Sequence, residues 1–161
     1  MRRRFLLGAA VTLAGCGFEL KRPPELPFRT IQLAGFAPRS QLVAELKQDI
    51  ESGPTTRVVE AAKDAQVVLQ SLGESREKVV VAQTSANQIR EFELRLRFNF
   101  RLRTASGREL IPDSEILLKR SLTYTESAAL AKEQEETFLY RAMQSDIVSQ
   151  VVRRLSSVRL P

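Results

Sequence analysis

Glu91-Phe92-Glu93-Leu94-Arg95-Leu96-Arg97-Phe98-Asn99-Phe100-Arg101-Leu102-Arg103 alternates apolar and polar residues without a break. Side chains on a β-strand point to opposite faces in turn, so this period of two predicts one long strand. At about 3.3 Å per residue it would span roughly 40 Å. One face carries Phe92, Leu94, Leu96, Phe98, Phe100 and Leu102, and the other carries Arg95, Arg97, Arg101 and Arg103. An apolar face of that length must be covered, and the rest of the chain supplies the cover.

On the C-terminal side, Thr104-Ala105-Ser106-Gly107 reads as a turn. Glu115 to Thr125 then returns as a strand with Ile116, Leu118, Leu122 and Tyr124 on one face. Arg120 falls in register with those apolar residues. A long helix is expected from Lys132 to Ser156, with Leu139, Ala142, Met143, Ile147, Val151, Leu155 and Val158 along one side. Glu133, Glu135 and Glu136 near its start and Arg153 and Arg154 near its end suit the helix dipole.

On the N-terminal side, Ala65 to Leu72 and Glu77 to Thr84 read as two short strands separated by Gly73-Glu74-Ser75. Thr30 to Leu33 reads as a first strand, and Val58-Val59 as a short one. Between these, Leu42, Val43, Leu46 and Ile50 recur at helical spacing after Pro38-Arg39-Ser40. Ser52-Gly53-Pro54 stops that helix, with glycine able to take a left-handed cap. A block of strands with one helix early and one late predicts an α+β two-layer sandwich. Its small sheet, mostly antiparallel or mixed, would pack against two helices.

The first residues carry a different message. Met1-Arg2-Arg3-Arg4 and the uncharged run Phe5 to Leu13 form the charged and apolar regions of a secretory signal. The run is too short for a bilayer, which needs about 20 residues. It ends in Leu13-Ala14-Gly15-Cys16, which resembles the lipobox of bacterial lipoproteins. That resemblance implies cleavage before Cys16, a diacylglycerol on its thiol and an acyl chain such as palmitate on its freed amine. One acyl chain binds membranes only at roughly 10⁴ M⁻¹, so a stable anchor needs more than one. Arg2-Arg3-Arg4-Phe5-Leu6 also resembles a twin-arginine signal, although the general secretory route fits better. In enterobacterial lipoproteins an aspartate after the cysteine signals inner-membrane retention. Gly17 at that position implies the outer membrane. Residues 1–15 are thus expected to be a removed signal peptide, 16–28 a lipidated cysteine with a proline-rich tether, and 29–161 one domain.

Composition narrows the chemistry. The chain has 161 residues, of which 43% are hydrophobic and 27% charged, enough for one core. Its formal charge of +6 falls to +3 without the three leading arginines, as 22 basic against 19 acidic residues remain. That excess does not suggest a nucleic-acid partner. Histidine is absent and Cys16 is the only cysteine. Ser-His-Asp and Cys-His catalysis and zinc sites of His and Cys are therefore excluded. No Gly-rich phosphate loop or G-x-S-x-G occurs. A two-carboxylate hydrolase is not formally excluded, but the acids sit mostly beside basic residues, so no enzyme and no dissociable cofactor are expected.

The basic strand face admits two readings. Guanidinium groups match phosphate in a bidentate way, and a periplasmic lipoprotein meets the phosphorylated lipid A of lipopolysaccharide. Alternatively, each arginine is paired across to an acid on a neighbouring strand. Lys132 could likewise be a surface lysine paired with Glu136 at i,i+4.

Several segments in order resemble the LptE family of lipopolysaccharide-assembly lipoproteins: Cys16-Gly17-Phe18-Glu19-Leu20, the arginine-rich strand, Arg120-Ser121, Leu130-Ala131-Lys132 with Glu135, and Val151-Val152-Arg153-Arg154-Leu155. The resemblance implies an α/β sandwich that plugs and helps assemble the LptD β-barrel in the outer membrane, lipid-anchored on the periplasmic side, and that binds lipopolysaccharide. It implies a lipopolysaccharide-binding role for Lys132. The family's second basic position, before the long strand, is not matched: Ser85-Ala86-Asn87-Gln88 is neutral and the nearest cation is Arg90. Arg90, Arg120, Arg95, Arg97, Arg101 and Arg103 are further candidates for lipid A phosphates. The competing reading is an auxiliary lipoprotein of an envelope phospholipid-transport system.

Overall fold

A computed structural model of the chain describes residues 25–160. The expected signal peptide and Cys16 lie outside the described residues. The arginine-rich segment forms β4 (Ile89–Thr104), the fourth strand of a five-stranded sheet. In chain order the other elements are β1 (Thr30–Ala34), α1 (Gln41–Glu51), β2 (Arg57–Val59), β3 (Val67–Gln83), β5 (Glu109–Thr123) and α2 (Ala129–Ser156). The strands lie in the order β2-β1-β3-β4-β5. β1 runs parallel to β2 and β3, while β3, β4 and β5 are antiparallel neighbours. Both helices pack on one face, giving the α+β two-layer sandwich that the alternation predicted.

The reason is visible on β4. Leu94, Leu96, Phe98, Phe100 and Leu102 are each at most 1% exposed, and removing such a side chain from water contributes roughly 1.5–3 kcal/mol. They meet Leu42, Leu46 and Ile50 of α1 and Met143, Ile147, Val151 and Leu155 of α2 in one core. Phe98 stacks on Phe100 and on Phe36 at centroid distances of 5.4 and 5.9 Å. Leu26 and Phe28, which the sequence placed in the tether, are also buried in this core. The domain therefore begins before residue 29.

Three local expectations are corrected. The two short strands around Gly73 are one strand, β3. The ladder to β4 passes through a bulge between Ser71 and Gly73, and Gly73 takes φ +148°. A bulge absorbs one extra residue without ending a strand, and the long partner β4 holds both halves. Gly53 is not a left-handed cap; α1 ends in right-handed Ser52, and among the described residues the positive-φ glycines are Gly35, Gly73 and Gly107. On α2, Ala142 is exposed while Tyr140, Gln144, Val148 and Val152 are buried. The helix starts at Ala129 and keeps Met143, Ile147, Val151 and Leu155 of the expected stripe, but widens it to Tyr140, Gln144, Val148 and Val152.

Candidate functional site

The outward face of β4 is paired rather than bare. Arg95 Nε donates to Glu93 at 2.6 Å and its NH1 lies 3.8 Å from Glu77. Arg97 donates to Glu115 of β5 at 2.9 Å. Arg101 reaches the Gln70 amide oxygen at 3.0 Å and lies 3.8 Å from Asp113. Arg103 makes no side-chain hydrogen bond or ion pair among the described residues. The Arg95 hydrogen bond, helped by the Lys119 charge, holds the Glu93 carboxyl below the ordinary carboxylate range against an opposing desolvation. Cross-strand pairs of this kind stabilise a sheet by a few tenths to 1 kcal/mol each.

Arg120 lies opposite buried Leu94 on the helix-facing side of β5, as its register with apolar residues indicated. Its guanidinium escapes burial at the sheet edge by donating to Asp146 of α2 at 2.9 Å. Lys132, in the first turn of α2, donates to Glu135 at 2.8 Å and to Thr123 Oγ1 of β5 at 3.1 Å. The expected partner Glu136 is instead taken by Lys78 of β3 at 2.6 Å. Lys132 is thus held against the end of β5, with its side chain 19% exposed.

Arg90 sits at the same end of the sheet. Its carbonyl accepts from the Tyr124 N–H at 2.8 Å, one residue from the Thr123 hydroxyl that Lys132 holds. Arg90 lines a cleft of about 260 Å³ with Gln88, Ile89, Thr125, Glu126 and Ser127. Its side chain has no hydrogen-bond or ion-pair partner among the described residues. The structure therefore separates the candidates into two groups. Arg90 and Lys132 lie at the β3–β4 turn end of the sheet, with Arg120 along the same margin. Arg95, Arg97, Arg101 and Arg103 lie on the far face of the sheet.

Sequence reasoning missed the cations on the helix side of β3. Arg76 donates to Gln144 at 3.1 Å and lies over the Tyr140 ring at 5.5 Å. Lys78 lies 4.2 Å over the Phe92 ring. Gln144 passes the connection on to Glu45 of α1 at 2.8 Å. Tyr140 donates its hydroxyl to the Glu77 carbonyl at 2.7 Å. Burial pushes the Tyr140 hydroxyl up from its ordinary range, and the Glu136 charge adds to the effect. The alternation of Glu74, Arg76 and Lys78 was a signal for one strand face, but it was hidden once β3 was cut at Gly73.

The model of the LptE family, described as lipopolysaccharide-assembly, matches residues 28–155. The chain belongs to the LptE family. A solution structure of a lipoprotein B from Nitrosomonas europaea shares 33% identity at a TM-score of 0.76, over 88% of this chain and 91% of that one. Two crystal structures share the fold. Rare lipoprotein B from Shewanella oneidensis is 20% identical, with a TM-score of 0.69 over 80% of this chain and 94% of its own. A minor lipoprotein from Acinetobacter baumannii is 21% identical, with a TM-score of 0.67 over 85% of this chain and 100% of its own. LptE-family proteins are non-enzymatic and cofactor-free lipopolysaccharide-assembly lipoproteins, and this chain is one of them. Among the described residues, no helix is long and apolar enough to cross a membrane.

Proposed function

We propose that this chain plugs and helps assemble the LptD β-barrel and binds lipopolysaccharide through the end of the sheet that carries Lys132 and Arg90. Cys16 carries diacylglycerol and an N-acyl chain after removal of residues 1–15. These lipids tether the domain to the outer membrane on its periplasmic side.

The observation that carries the binding part is the exposed Arg90 side chain on an open cleft at the end of the sheet where Lys132 holds Thr123. Arg90 lines that cleft and its guanidinium is unengaged among the described residues, while Lys132 is bonded to Thr123 and Glu135 nearby in the fold. Guanidinium and ammonium groups so placed suit the phosphates of lipid A. The far-face arginines are weaker candidates, because three of the four already share acids or amides.

Lipopolysaccharide affinity of the full-length chain in mild detergent tests this reading. Lys132→Glu and Arg90→Glu are each expected to weaken binding about tenfold, the size of one lost charge-assisted contact. Arg90 is exposed, so its variant should melt nearly unchanged; Lys132 is 19% exposed and bonded to Glu135 and Thr123, so its variant is compared at equal folded fraction. Unchanged affinity in both variants would remove this end of the sheet from the site. For the plug role, copurification from membranes should recover a large β-barrel protein, and recovery of the lipoprotein alone would count against it.

A further inference from the structure

β3 is far longer than the strand beside it. β1 pairs with β3 only from Val67 to Gln70. Gly35, at φ +75°, then lifts the chain off the sheet. From Leu72 to Gln83, β3 has β4 on one side and no strand among the described residues on the other. A free edge presents alternate N–H and C=O groups ready to pair with another chain. Over this length it runs roughly 40 Å. The lower half is charged, with Glu74, Arg76, Glu77 and Lys78, but Val79-Val80-Val81-Ala82 is not. Val80 and Val81 are 39% and 49% exposed.

Beside this edge, on the helix side, lies a cleft of about 250 Å³ lined by Gln41, Arg76, Glu136, Thr137, Tyr140 and Arg141. No residue of β4 or β5 lines it, so it opens toward the free side of β3. Arg76 pairs with Leu96 in the ladder and so shares the helix-facing side. Its guanidinium contacts Gln144 and lies 3.6 Å from Glu74. Glu136 is neutralised by Lys78. Glu45, in the adjoining cleft, is held by Gln144 and Ser145. Arg141 has no hydrogen-bond or ion-pair partner among the described residues. Within the cleft's own lining, Arg76 and Arg141 stand against Glu136, which leaves one cation in excess; Glu45 lies in the adjoining cleft that Arg141 also lines.

We propose that the free edge of β3 accepts an extended polypeptide segment by strand addition. An acidic side chain of that segment enters the cleft and pairs with Arg141. Main-chain bonds along the edge give affinity. The alternate side chains of the added strand that point to the helix layer give specificity, because successive residues face opposite sides. The ligand is thus a β-forming segment with acidic residues at every second position. Strand addition here needs neither lipopolysaccharide nor a barrel.

The test uses the full-length chain in mild detergent and a synthetic peptide of alternating valine and glutamate. Amide hydrogen exchange is followed across residues 72–83. The peptide is expected to slow exchange there about tenfold at saturation. A valine–lysine peptide should not, nor should the glutamate peptide methylated on alternate backbone nitrogens. Arg141→Glu should raise the peptide Kd about tenfold while leaving melting unchanged. Three outcomes overturn the proposal. One is no protection, and another is equal protection by both peptides. The third is protection that grows with chain concentration in the absence of peptide, which would place a second copy on the edge. Since the readout is backbone protection by a peptide, it stands or falls apart from lipopolysaccharide binding at Lys132.

Discussion

Gly35→Ala isolates the point where β1 leaves the sheet. The glycine sits at φ +75°, and a Cβ built there would lie 2.6 Å from the Ser71 carbonyl oxygen. The left-handed conformation alone costs a residue with a Cβ about 1–2 kcal/mol. The contact adds to this, because carbon and oxygen must separate by several tenths of an ångström. Ser71 is backbone in the middle of the β3–β4 ladder and is 9% exposed, so it cannot swing aside as a side chain would. Forced displacement in a packed interior costs about 1–3 kcal/mol. The sum is about 2–5 kcal/mol, a large share of the roughly 5–15 kcal/mol that holds a domain. At roughly 3–5 °C per kcal/mol for a domain of this size, melting should fall by roughly 6–25 °C. Gly107→Ala supplies the control. Gly107 has φ +94°, but a Cβ added there would meet no atom within 4 Å, so it carries only the conformational cost of about 1–2 kcal/mol. Equilibrium urea unfolding of both variants separates the two effects. If Gly35→Ala is no more destabilised than Gly107→Ala, the close approach of the two backbones is wrong.

Two further outcomes are expected. Phe98→Ala removes a fully buried ring stacked between Phe36 and Phe100 and should cost about 3–5 kcal/mol in chemical denaturation. A loss under about 1 kcal/mol would mean that the two layers do not close over this ring. Glu93 titrates below the ordinary carboxylate range in the folded chain, chiefly through the Arg95 hydrogen bond. Its contribution is therefore present above the unfolded carboxylate pKa and is lost as pH falls through the lowered folded value. Glu93→Gln should flatten the acid limb of the stability curve in that window, and an unchanged limb would remove Glu93 as its source.

The site divides along the same line as the fold. Arg120 announced itself by breaking an apolar register, and the structure gives it Asp146 as a partner across the layers. Lys132 was visible only through family resemblance. No local pattern distinguishes it from any other lysine in a first helical turn. Its contact with Thr123 exists because α2 folds back over the end of β5. The pairing of the β4 arginines was an open alternative in the sequence. Register decided it, by placing Glu115, Asp113, Gln70 and Glu77 within reach.

By itself, the sequence determined the two faces of β4, the amphipathic helices and hence the layered class, because periodicity is a local property of the chain. It also excluded histidine- and thiol-based chemistry, because those residues are absent from the domain. Only the tertiary structure decided that β3 is one strand. A propensity break at Gly73 costs less than leaving the long β4 unpaired along half its edge. It alone decided which cations are spent on acids and which stay free. Those pairings join residues as far apart as Arg76 and Gln144, or Lys78 and Glu136, and no spacing along the chain encodes them.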